Sequence, residues 1–503
     1  MALSGLDPIR IQVAAGAFAS ICEEMGAALI RSAHSANIKE RRDCSAAIFD
    51  PSGEMVMQAE HIPVHLGSMP ASVRAVIDRE HRQGVSWFLN DPYAGGTHLP
   101  DITVVTPAFD ATGSLIGFAA NRAHHADVGG SRPGSMPADS TRLSDEGVVI
   151  SPRVLDEASI TEVTSRMRQP AQRRADLRAQ IAANRLGTTR LAGLADRRGN
   201  SDLHLAMAEV IEYAEVRTRA LIKEMPDGEH SAQDVLEGRL GDIRLAVTAT
   251  VTGDSIRFDF SDSSGPDPGN LNCPLAVTES ACYFAVRVLT DPDIPASAGA
   301  YRPIEVIAPK GSLLNAQAPS AVVAGNVETS SRVADICLMA FGRAAGQGTM
   351  NNLTLGNDRF TYYETMGGGQ AASPGSAGPS AVHVAMSNTL NTPIEAMEIE
   401  FPLLAHEYSV RRDSGGGGQH RGGEGLVREI EALEPMSFAL LTERRRHRPP
   451  GASGGGAGKC GRNLLSRATQ AGYTELEPKD SGDLETGDRL RIETPGGGGF
   501  GNG

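Results

Sequence analysis

The chain has 503 residues, a formal charge of −14, 40% hydrophobic residues and only 4% aromatic ones. This is ordinary folded-protein composition with length for a sizeable core, and length alone suggests about three domains. The acidic balance argues against sequence-independent nucleic-acid binding, which needs a basic face to neutralise phosphates. The one basic run, Arg444-Arg445-Arg446-His447-Arg448, reads as a solvated or anion-holding loop. No apolar run is read as reaching the roughly 18–20 residues of a membrane span. Met1–Ile9 lacks the basic-then-apolar pattern of a secretory leader. Cys22, Cys44, Cys273, Cys282, Cys337 and Cys460 are scattered without a Cys-x-x-Cys pair, which suits free thiols in a reducing compartment. A cytoplasmic protein with no membrane or nucleic-acid partner is expected.

Residues 8–33 predict a helix, because Ile11, Ala14, Ala15, Phe18, Ile21, Cys22, Met25 and Leu29 recur at three- and four-residue steps. A hairpin is predicted next, with strands 44–49 and 55–58 joined by Asp50-Pro51-Ser52-Gly53. Residues 69–77 predict a short helix, and a second hairpin spans 103–109 and 115–121 around Asp110-Ala111-Thr112-Gly113. Residues 157–223 read as helical, broken at Gly187 and at Arg197-Arg198-Gly199-Asn200, with Ser201 as the next N-cap. Strands 244–251 and 255–260 follow, then helices near 276–289 and 328–342. After residue 360, strand-like runs at 381–387, 396–401, 426–432 and 437–441 alternate with glycine loops at 414–425, 451–461 and 495–503. We read the first two of these loops as ordered turns that bring backbone close to something, rather than as linkers.

These patterns divide the chain into an α/β unit (1–155) holding the candidate site, a helical segment (156–225), a second α/β unit (226–360) and a β-rich unit with glycine loops (361–503). The fold class expected is α+β or mixed α/β, in several layers.

Two segments carry the chemistry. Asn90 to Asp101 follows a strand-like 85–89, and Asn121 to Gly130 follows the strand-like 115–120. Two adjacent strands are therefore expected to end in loops bearing His and Asp, where a rigid sheet holds reacting groups and a loop exposes them. Imidazole nitrogen with carboxylate oxygen suits Zn, Mn or Fe at an open site. His98 and Asp101 lie three apart around a proline, so one turn can aim both at a point. Either His124 or His125 can add a nitrogen, but neighbours on extended backbone face opposite ways, so one of the two is expected to ligate. Asp43 is a further candidate. The residues alone leave open whether they bind a metal or only hydrogen-bond in a polar cleft. His61 and His65 are spaced by four, but Pro63 stands between them and no zinc-protease glutamate is placed, so a structural or substrate-lining role is favoured. The run Gly454 to Cys460 fails as a phosphate loop, since Ser453 stands where the first glycine is needed and Cys460 where the final hydroxyl is needed. Cys44 and Cys273 have no visible base and read as buried thiols.

Longer motifs resemble the hydantoinase B/oxoprolinase family. They are Glu40 to Ser45, Gln58 to Met69, Asn90 to Asp101, Arg122 to Gly130, Pro133 to Pro137, Asn388 to Pro393, Arg412 to Gly416, Arg421 to Gly423 and Glu493 to Gly501. The resemblance covers nearly the whole chain, in order. It implies a subunit of an ATP-dependent enzyme that opens cyclic amides such as N-methylhydantoins or 5-oxoproline, with the ATP site on a separate A-type subunit or a fused domain, and a hetero-oligomer with ATP and Mg on the A-type partner is expected. The alternative it implies is the α subunit of an acetone-type ketone carboxylase. It also implies a divalent metal held through His98, Asp101 and His124, with Asp43 as a further ligand and His125 as the alternative to His124. His125 or Asp127 would serve as base or as an orienting group. The segment Gly415 to Arg421 departs from the family's more usual Gly-Gly-Pro-Gly followed by an aromatic, which loosens that loop.

Overall fold

The structure is a computed structural model that describes residues 7–60 and 62–503. The leader reading, which rests mostly on residues 1–6, and the reading of His61 lie outside the described residues. The fold is mixed α/β, as expected, and among the described residues its longer strands form four sheets.

The first sheet takes β1 (Cys44–Phe49), β2 (Met55–Glu60), β3 (Ser86–Leu89), β4 (Asp101–Phe109), β5 (Leu115–His124) and β6 (Arg153–Leu155), in the order β2-β1-β5-β4-β3-β6. Both predicted hairpins are present, and one device makes both turns. The Asp50 carboxylate accepts from the Ser52 and Glu54 amides at 2.9 Å each. Asp110 does the same for Thr112 and Ser114, at 2.9 and 2.8 Å. Each aspartate side chain thus folds its own turn.

Around this sheet run α1 (Pro8–Ser32), α2 (Ala36–Lys39), α3 (Ser68–Arg74), α4 (Leu143–Glu146), α5 (Glu157–Thr164), α6 (Pro170–Arg198) and α7 (Asn200–Ile222). Contrary to the sequence reading, α1 is long and apolar enough by length and composition to cross a membrane, with a mean hydropathy of 1.5 over its best window. Its stripe of Ile11, Ala14, Phe18, Ile21, Met25 and Leu29 is buried, and the helix packs on α6, α7, β1 and β2. Gly187 does not break α6. A Cβ there would sit 2.3 Å from the Met25 sulfur and 3.0 Å from Ala119 Cβ, so the glycine lets α6 lie close on α1 and β5. The next helix starts at Asn200, with Gly199 rather than Ser201 as its N-cap.

A second sheet has the order β10-β9-β8-β7, from β7 (Gly228–Gly238), β8 (Gly241–Thr252), β9 (Ser255–Asp259) and β10 (Ile304–Ile307). It packs with α8 (Leu275–Leu289), α9 (Ala298–Tyr301) and α10 (Ser330–Ala340), the last preceded by a π-helical turn at Gly325–Thr329. One apolar cluster joins these elements to the first sheet and on to Met350, Tyr363 and Leu441.

The C-terminal strands are β11 (Asn352–Gly356), β12 (Thr361–Glu364), β13 (Leu403–Arg411), β14 (Gly425–Ala432), β15 (Met436–Leu441), β16 (Arg462–Ser466), β17 (Thr474–Leu476), β18 (Lys479–Leu484) and β19 (Arg489–Glu493). They form two sheets, β12-β11-β15-β18 and β13-β14-β19-β16-β17. Two strand readings fail here. Residues 394–400 are a helix, α11 (Ile394–Glu400). Residues 381–387 make only an isolated bridge through Val382, because Ala381 and Ala385 take left-handed backbone.

The basic run is solvated in part, with Arg446 and Arg448 exposed, and its first arginine turns inward. Arg444 is fully buried and pairs with Asp234 at 2.6 Å and Asp335 at 3.5 Å. The Arg445, Arg446 and His447 amides all point at the Glu237 carboxylate, at 2.9, 2.6 and 2.9 Å. The loop holds an anion, but the anion belongs to the chain itself.

The glycine loops are ordered and pack on one another. The terminal segment lies between the other two: Gly416 donates to Gly497 O, Gly497 to Gly423 O and Gly499 to Gly456 O, each at 2.9 Å. Backbones approach so closely that a Cβ on Gly497 would meet Gln370 O at 2.1 Å, whereas one on Gly417 meets nothing within 4 Å. Gly497→Ala therefore destabilises the protein by about 1–3 kcal/mol or more through overpacking, and Gly417→Ala leaves stability within about 0.5 kcal/mol. Urea unfolding of the two variants checks this, and equal midpoints would contradict it.

Candidate metal centre

The site forms where β4 and β5 pair. Their register sets Asp101 opposite His124, so both residues belong to strands rather than to the loops expected after them. The strand before the Asn90–Asp101 segment, β3, is not adjacent to β5, because β4 lies between them. The segment is folded by its own polar groups. The buried Asn90 side chain donates to Leu99 O at 2.7 Å and to Val148 O at 3.0 Å and accepts from the Ile150 amide at 2.6 Å. Gly95 has φ +98, and a Cβ on it would sit 2.5 Å from Ala71 backbone. This close, left-handed passage admits glycine alone and swings Thr97 and His98 inward.

Asp43 arrives from the other side. Arg42 takes left-handed backbone, φ 56, between α2 and β1, and the Asp43 carbonyl then accepts from the His124 amide at 3.0 Å. His65 comes from the turn Pro63–His65, and Ser45 Oγ lies 2.8 Å from its Nδ1.

His98 Nε2, Asp101 Oδ1 and His124 Nδ1 converge, with separations of 3.2 Å for His98–Asp101, 3.3 Å for His124–Asp101 and 3.2 Å for His98–His124. His65 Nε2 is 3.5 Å from Asp101 Oδ2, and Asp43 Oδ2 is 4.0 Å from His124 Nδ1. The two overlapping sets His98, Asp101, His124 and Asp43, His65, Asp101 could each hold a cation. All five side chains are buried. They share a small cavity of about 20 Å³ with Ile62, Val64, Asn326, Val327, Met350 and Tyr363. The His124 ring stacks on Tyr363 at 4.6 Å, and the buried Arg41 guanidinium lies 4.5 Å from the centre of the same Tyr363 ring.

Burial dominates the electrostatics. It pushes the Asp43 carboxyl up to about 7 against the pull of Arg41. It pushes the His124 imidazole down to about 3, and lowers that of His65. At Asp101 burial also pushes upward, but His98 and the other imidazoles outweigh it and hold the carboxyl well below the usual range. An ionised aspartate beside the neutral imidazole of His124 offers the donor types a divalent metal takes.

The geometry passes a sharper test of fit. Asp101 Oδ1 lies within reach of two imidazole nitrogens, yet it makes no hydrogen bond, while His98 Nε2 and His124 Nδ1 lie within hydrogen-bond distance of each other. The spacing of the three atoms equals the edge, about 3.3 Å, of a tetrahedron around an ion bonded at about 2.0–2.1 Å. The residues present therefore fit a cation.

His125 and Asp127 point elsewhere. Alternation along β5 turns His125 to the opposite face, where its Nε2 meets Gln180 Oε1 of α6 at 2.9 Å. Asp127 accepts from the Gly129 and Gly134 amides at 2.7 and 2.9 Å and pairs with Arg168 at 3.0 Å. Neither lines the cavity. His65, read from sequence as structural or substrate-lining, is the residue whose closeness to Asp101 was missed. Its only signal was membership in the Gln58–Met69 motif.

With fold and geometry in hand, likeness to known proteins is informative. The family model for hydantoinase B/oxoprolinase matches residues 7–503. The chain is 40% identical to 5-oxoprolinase 1 of Arabidopsis thaliana over 536 aligned positions, covering 99% of this chain and 42% of that protein. It thus spans about two fifths of the length of the first such relatives. Its fold matches the ATP-dependent caprolactamase of Pseudomonas jessenii with a TM-score of 0.92 at 26% identity, covering 99% of this chain and 92% of that one. It also matches nucleotide-free acetone carboxylase with a TM-score of 0.88 at 17% identity, covering 99% and 76%, a likeness of fold alone. These matches define a class of mixed α/β proteins that includes enzymes of amide chemistry. The chain belongs to the hydantoinase B/oxoprolinase family.

Two predictions follow from the site's geometry. Chain loaded with Zn, Mn or Fe and then desalted retains about one ion per chain, and His98→Ala or Asp101→Asn retains less than about a tenth of that, as expected when a ligand is removed from a small set. Elemental analysis reads the outcome, and full occupancy in both variants would defeat the assignment. Asp127→Asn lowers stability by about 1–3 kcal/mol through its lost charge-assisted hydrogen bonds but leaves metal content unchanged, as paired unfolding and metal measurements will show.

Proposed function

We infer that this chain is the metal-binding part of an ATP-dependent enzyme that opens a cyclic amide, and that a separate A-type chain binds ATP and Mg. The observation that carries this reading is the close grouping of three buried donor atoms, His98 Nε2, Asp101 Oδ1 and His124 Nδ1, within 3.3 Å of one another. The reading draws further support from the name of the caprolactamase that shares the fold. The failed phosphate loop at Gly454–Cys460 favours a second chain for the nucleotide.

An unstrained amide resists water, and ATP overcomes this by turning the carbonyl oxygen into a phosphorylated leaving group, a step we assign to the partner. His98, Asp101 and His124 would hold the cation, with Asp43 and His65 flanking it. A divalent cation in such a set supplies Lewis acidity, which polarises an oxygen ligand and lowers the pKa of bound water. The chain's own residues do the positioning. Thr97 Oγ1 donates to Asp101 Oδ2 at 2.6 Å and fixes the carboxylate. Tyr363 fixes the plane of His124 by stacking on it. Burial keeps His124 neutral, so its ring can give a lone pair rather than carry a proton. His125 and Asp127 anchor the segment that follows His124, one to Gln180 and the other to Gly129, Gly134 and Arg168.

Ketone carboxylation, the alternative reading, rests on fold likeness, and no residue of this site favours it. The test is product analysis of the chain assembled with its ATP-binding partner. With ATP and hydantoin, 5-oxoproline or caprolactam, ring-opened product and phosphate are expected together. His98→Ala should slow turnover by about 100-fold or more, the order typical when a group acting on the transition state is removed. Carboxylated ketone formed from bicarbonate without any ring opening would sink the reading, as would turnover that survives metal removal.

A further inference from the structure

The ring that stacks on His124 is itself held at its far end. Tyr363 donates its hydroxyl to Asn352 Oδ1 at 2.6 Å. Asn352 lies on β11, the neighbour of β12, and its Nδ2 donates to Glu328 Oε1 at 3.1 Å and to Leu441 O at 3.4 Å. The same Glu328 oxygen accepts from the Met350 amide at 3.1 Å. Tyr363, Asn352 and Glu328 are all buried. A carboxamide has one donating and one accepting end. Glu328 and Leu441 offer only acceptors here and take the donating end, which leaves the accepting end to the phenol.

Glu328 belongs to the π-helical turn Gly325–Thr329. Such turns are rare and gather at functional sites. Asn326 and Val327 of the same turn line the metal cavity, as does Met350, whose amide Glu328 holds. One turn therefore supplies part of the cavity lining and the anchor of the ring that faces His124. Burial and the neighbouring Glu443 push the Glu328 carboxyl up to about 7, so an uncharged amide of the same shape can stand in for it.

The consequence falls on His124. An imidazole binds an ion along a lone pair in the plane of its ring, so a tilt of the ring turns the lone pair away. Stacking at 4.6 Å and 8° ties the imidazole plane to the plane of Tyr363. A phenol released at its hydroxyl end is free to tilt, and the imidazole tilts with it. Groups that orient a metal ligand typically change affinity or activity by about 10–100-fold when they are lost.

We propose that Asn352 and Glu328 are positioning residues of the metal centre: Glu328 orients the Asn352 carboxamide, Asn352 anchors the Tyr363 hydroxyl, and the anchored ring sets the plane of the His124 imidazole. The assignment rests on the reading of His98, Asp101 and His124 as a cation site. Cobalt(II) titration of the full chain, followed by visible absorption, tests it, because the bands report ligand geometry rather than fold stability. The parent is expected to take up about one ion per chain with saturable bands. Tyr363→Phe keeps the stack and loses only the anchor. It and Asn352→Leu should each bind cobalt about tenfold more weakly, with shifted bands. Glu328→Gln keeps an acceptor for Asn352 and should resemble the parent, while Glu328→Leu should resemble Asn352→Leu. Parent-like bands and affinity in Tyr363→Phe overturn the proposal, even where the other variants fail to fold. So does a Glu328→Gln chain as impaired as Glu328→Leu. A parent that takes up no cobalt removes the cation reading and this proposal together, whereas a parent that takes it up beside unaffected variants removes this proposal alone.

Discussion

The register of β4 against β5 is the constraint on which the site depends. Asp101 faces His124 across that pair, and side chains alternate along a strand. A slip of one residue would put His125 in the place of His124 and turn the imidazole that meets Asp101 toward α6. The donor set is therefore no stronger than the pairing beneath it, and much of the surrounding structure serves to fix that pairing. From the first face, Arg122, fully buried, donates to Thr103 Oγ1 at 2.8 Å, to Ser72 Oγ at 2.7 Å and to Gly95 O at 3.1 Å. It ties β5 to β4, to α3 and to the loop that delivers His98. From the second face, Gln180 of α6 donates to Ile102 O and to Asn121 Oδ1, at 2.8 and 2.9 Å, and Asn184 donates to Val104 O at 2.9 Å. A slipped register would strand these buried amides without partners, which is the costly outcome in a low-dielectric interior.

This arrangement explains why α6 does not look like a core helix. Its buried side includes Arg173, Asp176, Gln180 and Asn184 beside Leu177, Ala183 and Leu191, so polar residues sit where a simple apolar stripe would lie. Asp176 meanwhile accepts from the His34 and Ser35 amides at 2.8 and 3.1 Å and holds the end of α1. One helix thus braces the β4–β5 pair and, through Gln172, lines a neighbouring cavity.

Legibility in the sequence followed physical scale. Hairpins were readable because Asp50 and Asp110 write their turns with their own side chains. The α1 stripe was readable because a long period survives noise. His98, Asp101 and the 124–125 pair were visible because imidazole and carboxylate types stand close in sequence, and alternation foretold that only one of the two histidines would face Asp101. The failures have reasons as well. Residues 394–400 offered too short a run for period to separate helix from strand, with Met397 the one residue buried. Gly187 was read as a break because a close helix–helix approach leaves the same mark in sequence as a helix end. The burial of Arg444 within the basic run was not foreseen because its partners, Asp234 and Asp335, lie more than a hundred residues away. His65 was discounted by comparison with a helical pair, whereas it acts alone from a short turn. Convergence from distant segments is the part that local pattern does not encode.

The mixed lining of the cavity bears on how such a site would work: the five His and Asp side chains share it with the apolar Ile62, Val64, Val327 and Met350. A wall of this kind keeps bulk water out and lowers the local dielectric, so each charge in the site acts more strongly than it would in solvent. It also shifts the protonation balance in one direction, holding His124 neutral and raising Asp43. The stack of Tyr363 on His124, with the Arg41 guanidinium over the same Tyr363 ring, then ties the donor set to the C-terminal strands, so the site depends on the packing of β12 against the first sheet as well as on the β4–β5 register.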